Sequence, residues 1–342
     1  VNLISPKELK EAFPLTLEEQ NKIESFRNEA KALLSSCSKK VLIIGPCSIH
    51  DYSCFLEYAK KLKELSDAVK EQFFIVIRAY IEKSRTSIGW KGFLYQPSPW
   101  SHSNLSEGLI LSRKLFIEVT RIGLPIAVEI VDPITSYYFE DLITWGCIGA
   151  RTCSSQTHRQ ISSLLKFPIG FKNSPSGDLF GALNGMKAAA KPQDFFGMTP
   201  DGRISQINSI GNPYTNLVLR GGNQITNYDA KSVGFASDLA KENDVCNFIV
   251  VDCSHGNSKK NLCRQKEIFI YLIHLIKEQK QSAISGIMLE SYLQEGKIDE
   301  TYEPMEKTYS ITDPCLGFET TKKLILWASE QLAHSFNLAE LN

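Results

Sequence analysis

The feature that most limits what this chain can fold into is a rhythm: short apolar runs alternate with longer amphipathic ones, eight times in succession. The candidate strands are 41–46, 74–80, 126–131, 147–150, 168–172, 217–220, 248–253 and 285–290. Helical periodicity fills most intervals, at 53–71, 106–122, 136–145, 156–166, 178–190, 228–242 and 259–280, with a last stretch over 319–337. Such alternation implies parallel strands joined by crossover helices, and eight units predict a closed (β/α)8 barrel rather than an open sheet. Residues 1–40 are helical and charged, and read as an N-terminal extension to a barrel occupying 41–342. The length of 342 residues suits a barrel of ~250 residues with additions. Two stretches break the rhythm. Residues 84–106 are rich in Gly, Pro, Trp and Ser, and 195–214, with Gly and Pro at both ends, predicts an inserted hairpin. Both have the length of functional insertions rather than domain linkers.

Composition removes several function classes. Lys plus Arg number 38 and Asp plus Glu number 38, so no global field draws the chain to nucleic acid or an anionic membrane. Residues 1–16 lack the basic start and apolar core of a signal peptide, and the most apolar helical stretch, 268–276, is about half a membrane span. A cytoplasmic protein with no membrane partner is expected. The nine cysteines are an odd number, spread out and without a CxxC pair. They read as reduced thiols rather than a disulfide framework or a zinc finger.

Catalytic groups of a barrel sit where its strands end and in the loops that follow. The predicted exits carry Cys47, Arg78, Glu129, Arg151, Lys172, Arg220, His255 and Glu290. Two chemistries separate. Arg78, Lys83, Arg85, Arg151, Lys172 and Arg220 are cations which, if they converge, make a pocket for phosphate and carboxylate. The planar fork of Arg matches both groups, and Lys adds a point charge and a proton. Singly, each is more often an ordinary exposed cation; jointly, they predict an anion site. Cys47, His255, Glu290 and Asp313 are a mixed sulfur, nitrogen and oxygen set, better suited to a transition metal than to magnesium or calcium. Their spacing is no local motif, and each alone has a bland reading: an inert buried thiol, a hydrogen-bonded imidazole, surface acids.

Two local features sharpen this. Ile44-Gly45-Pro46-Cys47-Ser48 ends a strand in a tight turn where glycine permits close approach. Asp252-Cys253-Ser254-His255-Gly256-Asn257-Ser258 crowds polar groups into a strand exit, which is costly in a buried region unless each is satisfied. No Walker loop or GxGxxG occurs. His50, His102, His158, His274 and His334 are expected at the surface or in the core.

At this point the residues resemble a known family. Gly45-Pro46-Cys47-Ser48-Ile49-His50-Asp51 is similar to the opening motif of the type I 3-deoxy-D-arabino-heptulosonate 7-phosphate (DAHP) synthases. Arg78-Ala79-Tyr80-Ile81-Glu82-Lys83-Ser84-Arg85-Thr86-Ser87, followed by Gly89-Trp90-Lys91-Gly92, resembles its second signature. Gly149-Ala150-Arg151-Thr152, Ser155-Gln156, Gly170-Phe171-Lys172-Asn173, Leu219-Arg220-Gly221-Gly222, Asp252-Cys253-Ser254-His255, Met288-Leu289-Glu290-Ser291 and Ser310-Ile311-Thr312-Asp313 continue in order. The resemblance runs from about residue 41 to 320.

It implies a barrel enzyme, a transferase that condenses phosphoenolpyruvate with erythrose 4-phosphate at the start of the shikimate pathway. It further implies one divalent ion (Mn, Fe, Co or Zn) on Cys47, His255, Glu290 and Asp313. Phosphoenolpyruvate would meet Arg78, Lys83, Arg151, Lys172 and Arg220, and erythrose 4-phosphate Arg85 and Thr86. Lys83 would serve as proton donor and Glu129 would orient water, with Cys47 and His255 beside the reacting atoms. A homo-oligomer, dimer or tetramer, is implied too. Cys153-Ser154 stands where the family more often has Thr-Glu, 174–178 departs from the usual Gly-rich loop, and Phe318 replaces a common Trp. No implied ligand is lost, so activity is expected to survive. The rivals are 3-deoxy-D-manno-octulosonate 8-phosphate synthase, whose aldehyde is arabinose 5-phosphate, and a non-catalytic phosphometabolite-binding barrel, which the retained Lys83 and ligand set disfavour.

Overall fold

Apolar runs without alternation belong in strands buried on both faces, and the eight predicted strands close on one another. The computed structural model describes residues 2–36, 38–278, 283–299 and 305–339. Its strands are β1 (Lys40–Gly45), β2 (Phe73–Arg78), β3 (Ile126–Ile130), β4 (Trp145–Ile148), β5 (Ile169–Lys172), β6 (Gln193–Met198), β7 (Ile204–Ser209), β8 (Thr215–Leu219), β9 (Ile249–Asp252), β10 (Ile284–Tyr292) and β11 (Leu316–Gly317). The order β1-β2-β3-β4-β5-β8-β9-β10 returns to β1, every pairing parallel, which is a (β/α)8 barrel. Closure sets Val41 beside Gly286 and Gly45 beside Glu290. The inserted hairpin is β6–β7, antiparallel from Gln193 opposite Ser209 to Met198 opposite Ile204.

The helices are α1 (Pro6–Ala12), α2 (Leu17–Ser36), α3 (Tyr52–Ala68), α4 (Leu105–Ile122), α5 (Ser136–Phe139), α6 (Gln156–Leu164), α7 (Phe180–Ala189), α8 (Ala230–Glu242), α9 (His255–Ser258), α10 (Leu262–Lys277) and α11 (Phe318–Ala339). Three elements depart from the sequence reading. The helix predicted at 136–145 stops after Phe139: the Arg27 guanidinium takes the Glu140 carbonyl that a longer helix would offer to Thr144, and the Thr144 N–H donates to Ile126 instead. The helix predicted at 259–280 begins at Leu262, since Lys259 and Lys260 are left-handed (φ 53° and 61°) and Asn261 caps the new start. The fourth strand lies two residues earlier than read, so Arg151 sits in the loop beyond it.

Alternate strand residues fill the barrel. Val41, Ile43, Phe74, Val76, Ala127, Trp145, Cys147, Val218, Val250 and Met288 form one cluster with Ala30 and Leu33 of α2. Arg27 of α2 lies over Phe167, just before β5, and Lys31 over Tyr214, just before β8. This helix therefore seals the barrel at the N-terminal ends of its strands and leaves the other end to chemistry. No helix among the described residues is long and apolar enough to cross a membrane. No disulfide joins two of the described cysteines, and Cys37 lies outside the described residues.

His50 is 2% exposed and packs edge-on against Tyr292. Burial lowers its pKa to about 4 from 6.5, with Asp51 opposing. Between those values the unfolded chain binds more protons, so stability falls as the pH falls. Wild type should lose about 2 kcal/mol from this source between about pH 7 and 4.5, a loss that His50→Phe should escape. Urea unfolding of both proteins at the two pH values reads the difference; parallel acid losses would refute it.

Candidate active site

Parallel strands deliver their last side chains to one rim, and there a cavity of about 320 Å³ opens. Cys47, Arg78, Lys83, Arg85, Thr86, Glu129, Arg151, Lys172, Arg220, His255 and Asp313 all line it. The remaining site residue read from the sequence, Glu290, is fully buried and pairs with Arg78. The departures at Cys153, Ser154, 174–178 and Phe318 contribute nothing to the lining. Neither do His50, His102, His158 and His274, while the side chain of His334 lies outside those described.

One wall gathers a thiol and carboxylates. Gly45 is required next to it: a Cβ there would lie 2.4 Å from the Arg78 carbonyl oxygen. Ligand atoms of Cys47, Glu290 and Asp313 lie within 4.8 Å of one another, close enough for a single ion. Glu290 Oε1 is buried and accepts no hydrogen bond, although the Arg78 guanidinium lies 3.1 Å away, so it keeps lone-pair capacity that an ion could use. The other oxygen, Oε2, accepts from Ser254 Oγ at 2.5 Å, and the backbone N–H of Glu290 donates to Gln265 at 2.8 Å. His255 stands just outside this group of three. Its Nε2 is 3.6 Å from Glu290 Oε1, while its Nδ1 lies 2.8 Å from Asp252. Its backbone is left-handed at φ 50°, a conformation that is uncommon outside glycine and clusters at functional sites.

Lys83 faces the same wall. Its Nζ is 2.9 Å from Cys47 Sγ and 3.5 Å from Asp313. Burial disfavours its charge, but the Cys47 thiol and the Asp313 and Glu290 carboxylates outweigh that and raise its pKa. Burial pushes the Cys47 thiol up to about 11. Asp313 is held well below the usual carboxylate range, with Lys83 and Lys260 overcoming its burial.

The opposite wall is cationic. Lys172 is 3% exposed, with Nζ 3.4 Å from Glu129 and 3.9 Å from Asp252. Glu129 stays below its ordinary pKa because Lys172 and Arg78 outweigh its burial. Arg220 is lowered, by burial first and by Arg151 among its neighbours. Arg151 donates to Thr86 at 2.5 Å, joining two loops across the mouth. Cations crowded beyond their local counter-charges favour an anionic guest.

Four lining or supporting residues escape the sequence reading of roles. Tyr80 lies under the Arg78 guanidinium, 3.8 Å from ring centroid to Cζ. Glu82 accepts from Thr135 Oγ1 at 2.9 Å and from the N–H groups of Val131 and Asp132, although burial pushes its pKa up to about 8. Asp252 orients His255, and Lys260 reaches Asp313 at 2.7 Å. Only Asp252, at the end of a strand, carried a usable signal.

Known proteins resemble this chain in sequence and fold. The sequence model described as the DAHP synthetase I family matches residues 23–325. The Tyr-sensitive phospho-2-dehydro-3-deoxyheptonate aldolase of Escherichia coli K12 is 38% identical over 326 residues, covering 94% of this chain and 91% of that protein. The Trp-sensitive enzyme of the same strain is 39% identical over 327 residues, covering 95% and 93%. A solved phospho-2-dehydro-3-deoxyheptonate aldolase from Francisella tularensis SCHU S4 superposes with a TM-score of 0.93 at 36% identity, over 97% of each chain.

Proposed function

The chain belongs to the DAHP synthetase I family, and we propose that it condenses phosphoenolpyruvate and D-erythrose 4-phosphate with water to give DAHP and phosphate, the first step of the shikimate pathway. The observation that carries this reading is the meeting of seven Lys and Arg side chains with a thiol–carboxylate cluster in one cavity. Two anionic substrates repel each other, and Arg78, Lys83, Arg151, Lys172 and Arg220 on the phosphoenolpyruvate side, with Arg85 and Thr86 for the aldehyde's phosphate, offset that repulsion and fix the approach.

Cys47, His255, Glu290 and Asp313 would hold a divalent ion, and their mixed donor set suits Mn, Fe, Co or Zn. When bound, such an ion supplies Lewis acidity toward the aldehyde. Lys83, protonated at neutral pH by its setting, is placed to give a proton to the alkoxide formed when C3 of the enol attacks the aldehyde carbon. Glu129, ionised beside Lys172, orients the water that adds at C2, after which phosphate leaves by C–O cleavage.

The test follows loss of enol absorbance and release of phosphate in metal-stripped protein, with each aldehyde and with metal restored. Metal-dependent loss with erythrose 4-phosphate is expected. Loss with arabinose 5-phosphate alone would reassign the enzyme to octulosonate synthesis. Folded protein inert with every metal would sink the catalytic reading.

A further inference from the structure

The polar crowding after β9 is explained only in part by His255, because Asn257 faces away from the cavity into a buried network. Asn173, Asn227 and Asn257 are 0%, 8% and 1% exposed; the first two sit in the loops after β5 and β8, the third in the short α9 that follows β9. Asn173 Oδ1 accepts from the backbone N–H of Arg220 at 2.8 Å and from Asn227 Nδ2 at 3.1 Å. Its Nδ2 donates to the Gly221 and Ser174 carbonyls, both at 2.9 Å. Asn227 Oδ1 accepts from Gly221 N–H at 2.7 Å, and Asn227 N–H donates to Asn257 Oδ1 at 2.9 Å. Asn257 Nδ2 donates to the carbonyls of Asp252 at 2.9 Å and Leu219 at 3.2 Å. The backbone partners fix each amide's orientation, because an N–H only donates and a carbonyl only accepts. Gly221, left-handed at φ 73°, admits the close approach: a Cβ there would lie 2.4 Å from the Asn257 nitrogen.

We infer that these three asparagines are positioning residues, a clasp that sets the mutual spacing of Lys172, Arg220 and His255. Each clasp member adjoins or directly bonds a segment bearing one of those groups: Asn173 follows Lys172, Asn227 ties down the Arg220-Gly221 backbone, and Asn257 lies two residues beyond His255. Amides suit the task because they offer donors and acceptors without net charge. A carboxylate here would compete for Lys172 or Arg220, and an apolar side chain would strand the buried N–H groups of Arg220 and Gly221.

The inference rests on the proposed reaction insofar as Lys172 and Arg220 hold phosphoenolpyruvate. Asn227→Ala should then raise KM for phosphoenolpyruvate by about tenfold or more, with KM for erythrose 4-phosphate within about twofold and kcat falling less than about threefold. Asn227→Asp keeps an oxygen for Gly221 N–H but loses the donor to Asn173 Oδ1 and adds a charge, so it should recover little of the loss. Equal changes in both KM values, or none, would overturn the clasp as a positioning device. Amide exchange in ligand-free wild type supplies a reading independent of turnover and of any variant's folding. The N–H groups of Arg220, Gly221 and Asn227 should exchange as slowly as strand amides, and exchange at exposed-loop rates would refute the clasp. Should wild type neither bind nor turn over phosphoenolpyruvate, the reaction assignment fails, and slow or fast exchange at these amides still decides whether the clasp exists.

Discussion

Replacing Lys83 by Met is expected to lower kcat by about 10²–10⁴-fold while the protein still folds. Lys83 faces Cys47 at 2.9 Å and Asp313 at 3.5 Å, so this lysine reaches both the thiol and a carboxylate of the wall and can give a proton there. Its loss does not strand Asp313, which keeps Lys260 at 2.7 Å, so the melting temperature should move little. Lys83→Arg restores charge but carries it on a planar fork that holds its proton more tightly, and should recover little of the turnover. Steady-state kinetics on metal-loaded protein checks this. A Met variant that keeps more than about a tenth of wild-type kcat would remove Lys83 from proton transfer.

Arg78→Met should act on stability as well as on phosphoenolpyruvate binding, costing about 3–5 kcal/mol. Arg78 is 1% exposed, its guanidinium lies 3.1 Å from the fully buried Glu290, and it donates to the Pro46 carbonyl. Removing the cation leaves a carboxylate buried without its partner. Changing Glu290 to Gln in the same molecule should restore much of the loss, since both charges are then gone. Urea unfolding of the two single variants and the double variant closes the cycle. A single Arg78→Met variant within about 1 kcal/mol of wild type would show that Glu290 is neutralised by other means.

The barrel was legible because each of its strands is apolar on both faces, and because the polar residue that ends the run marks the rim. Arg78, Lys172 and Arg220 are all read that way. Helix lengths were legible only where no tertiary contact intervened. The sequence around 136–145 is a sound helix, and it is Arg27, more than a hundred positions earlier, that takes its Glu140 carbonyl. The convergence of Cys47, Glu290 and Asp313 was not visible in spacing, since closure of β1 on β10 joins residues that are distant in sequence. Family resemblance supplied that grouping; residue patterns supplied only the donor types. Glu82, Lys260 and Asn227 stayed hidden for a related reason. Each lies away from the regular part of a strand, and its role is fixed by what folding brings beside it.

The seal that α2 makes across the barrel floor also bears on how the chain assembles. Translation yields this helix before any barrel strand, yet the surface it covers includes Val41 and Met288, which β10 completes only after the other seven barrel strands exist. Loop closure over such a separation is slow and must precede the reward of burial. Until β10 docks, Ala30 and Leu33 have no finished floor to cover, and half-made barrels expose both this helix face and an unpaired β1 edge. The segment that looks most like an appendage in the sequence is thus a late checkpoint of assembly, satisfied only by a completed barrel.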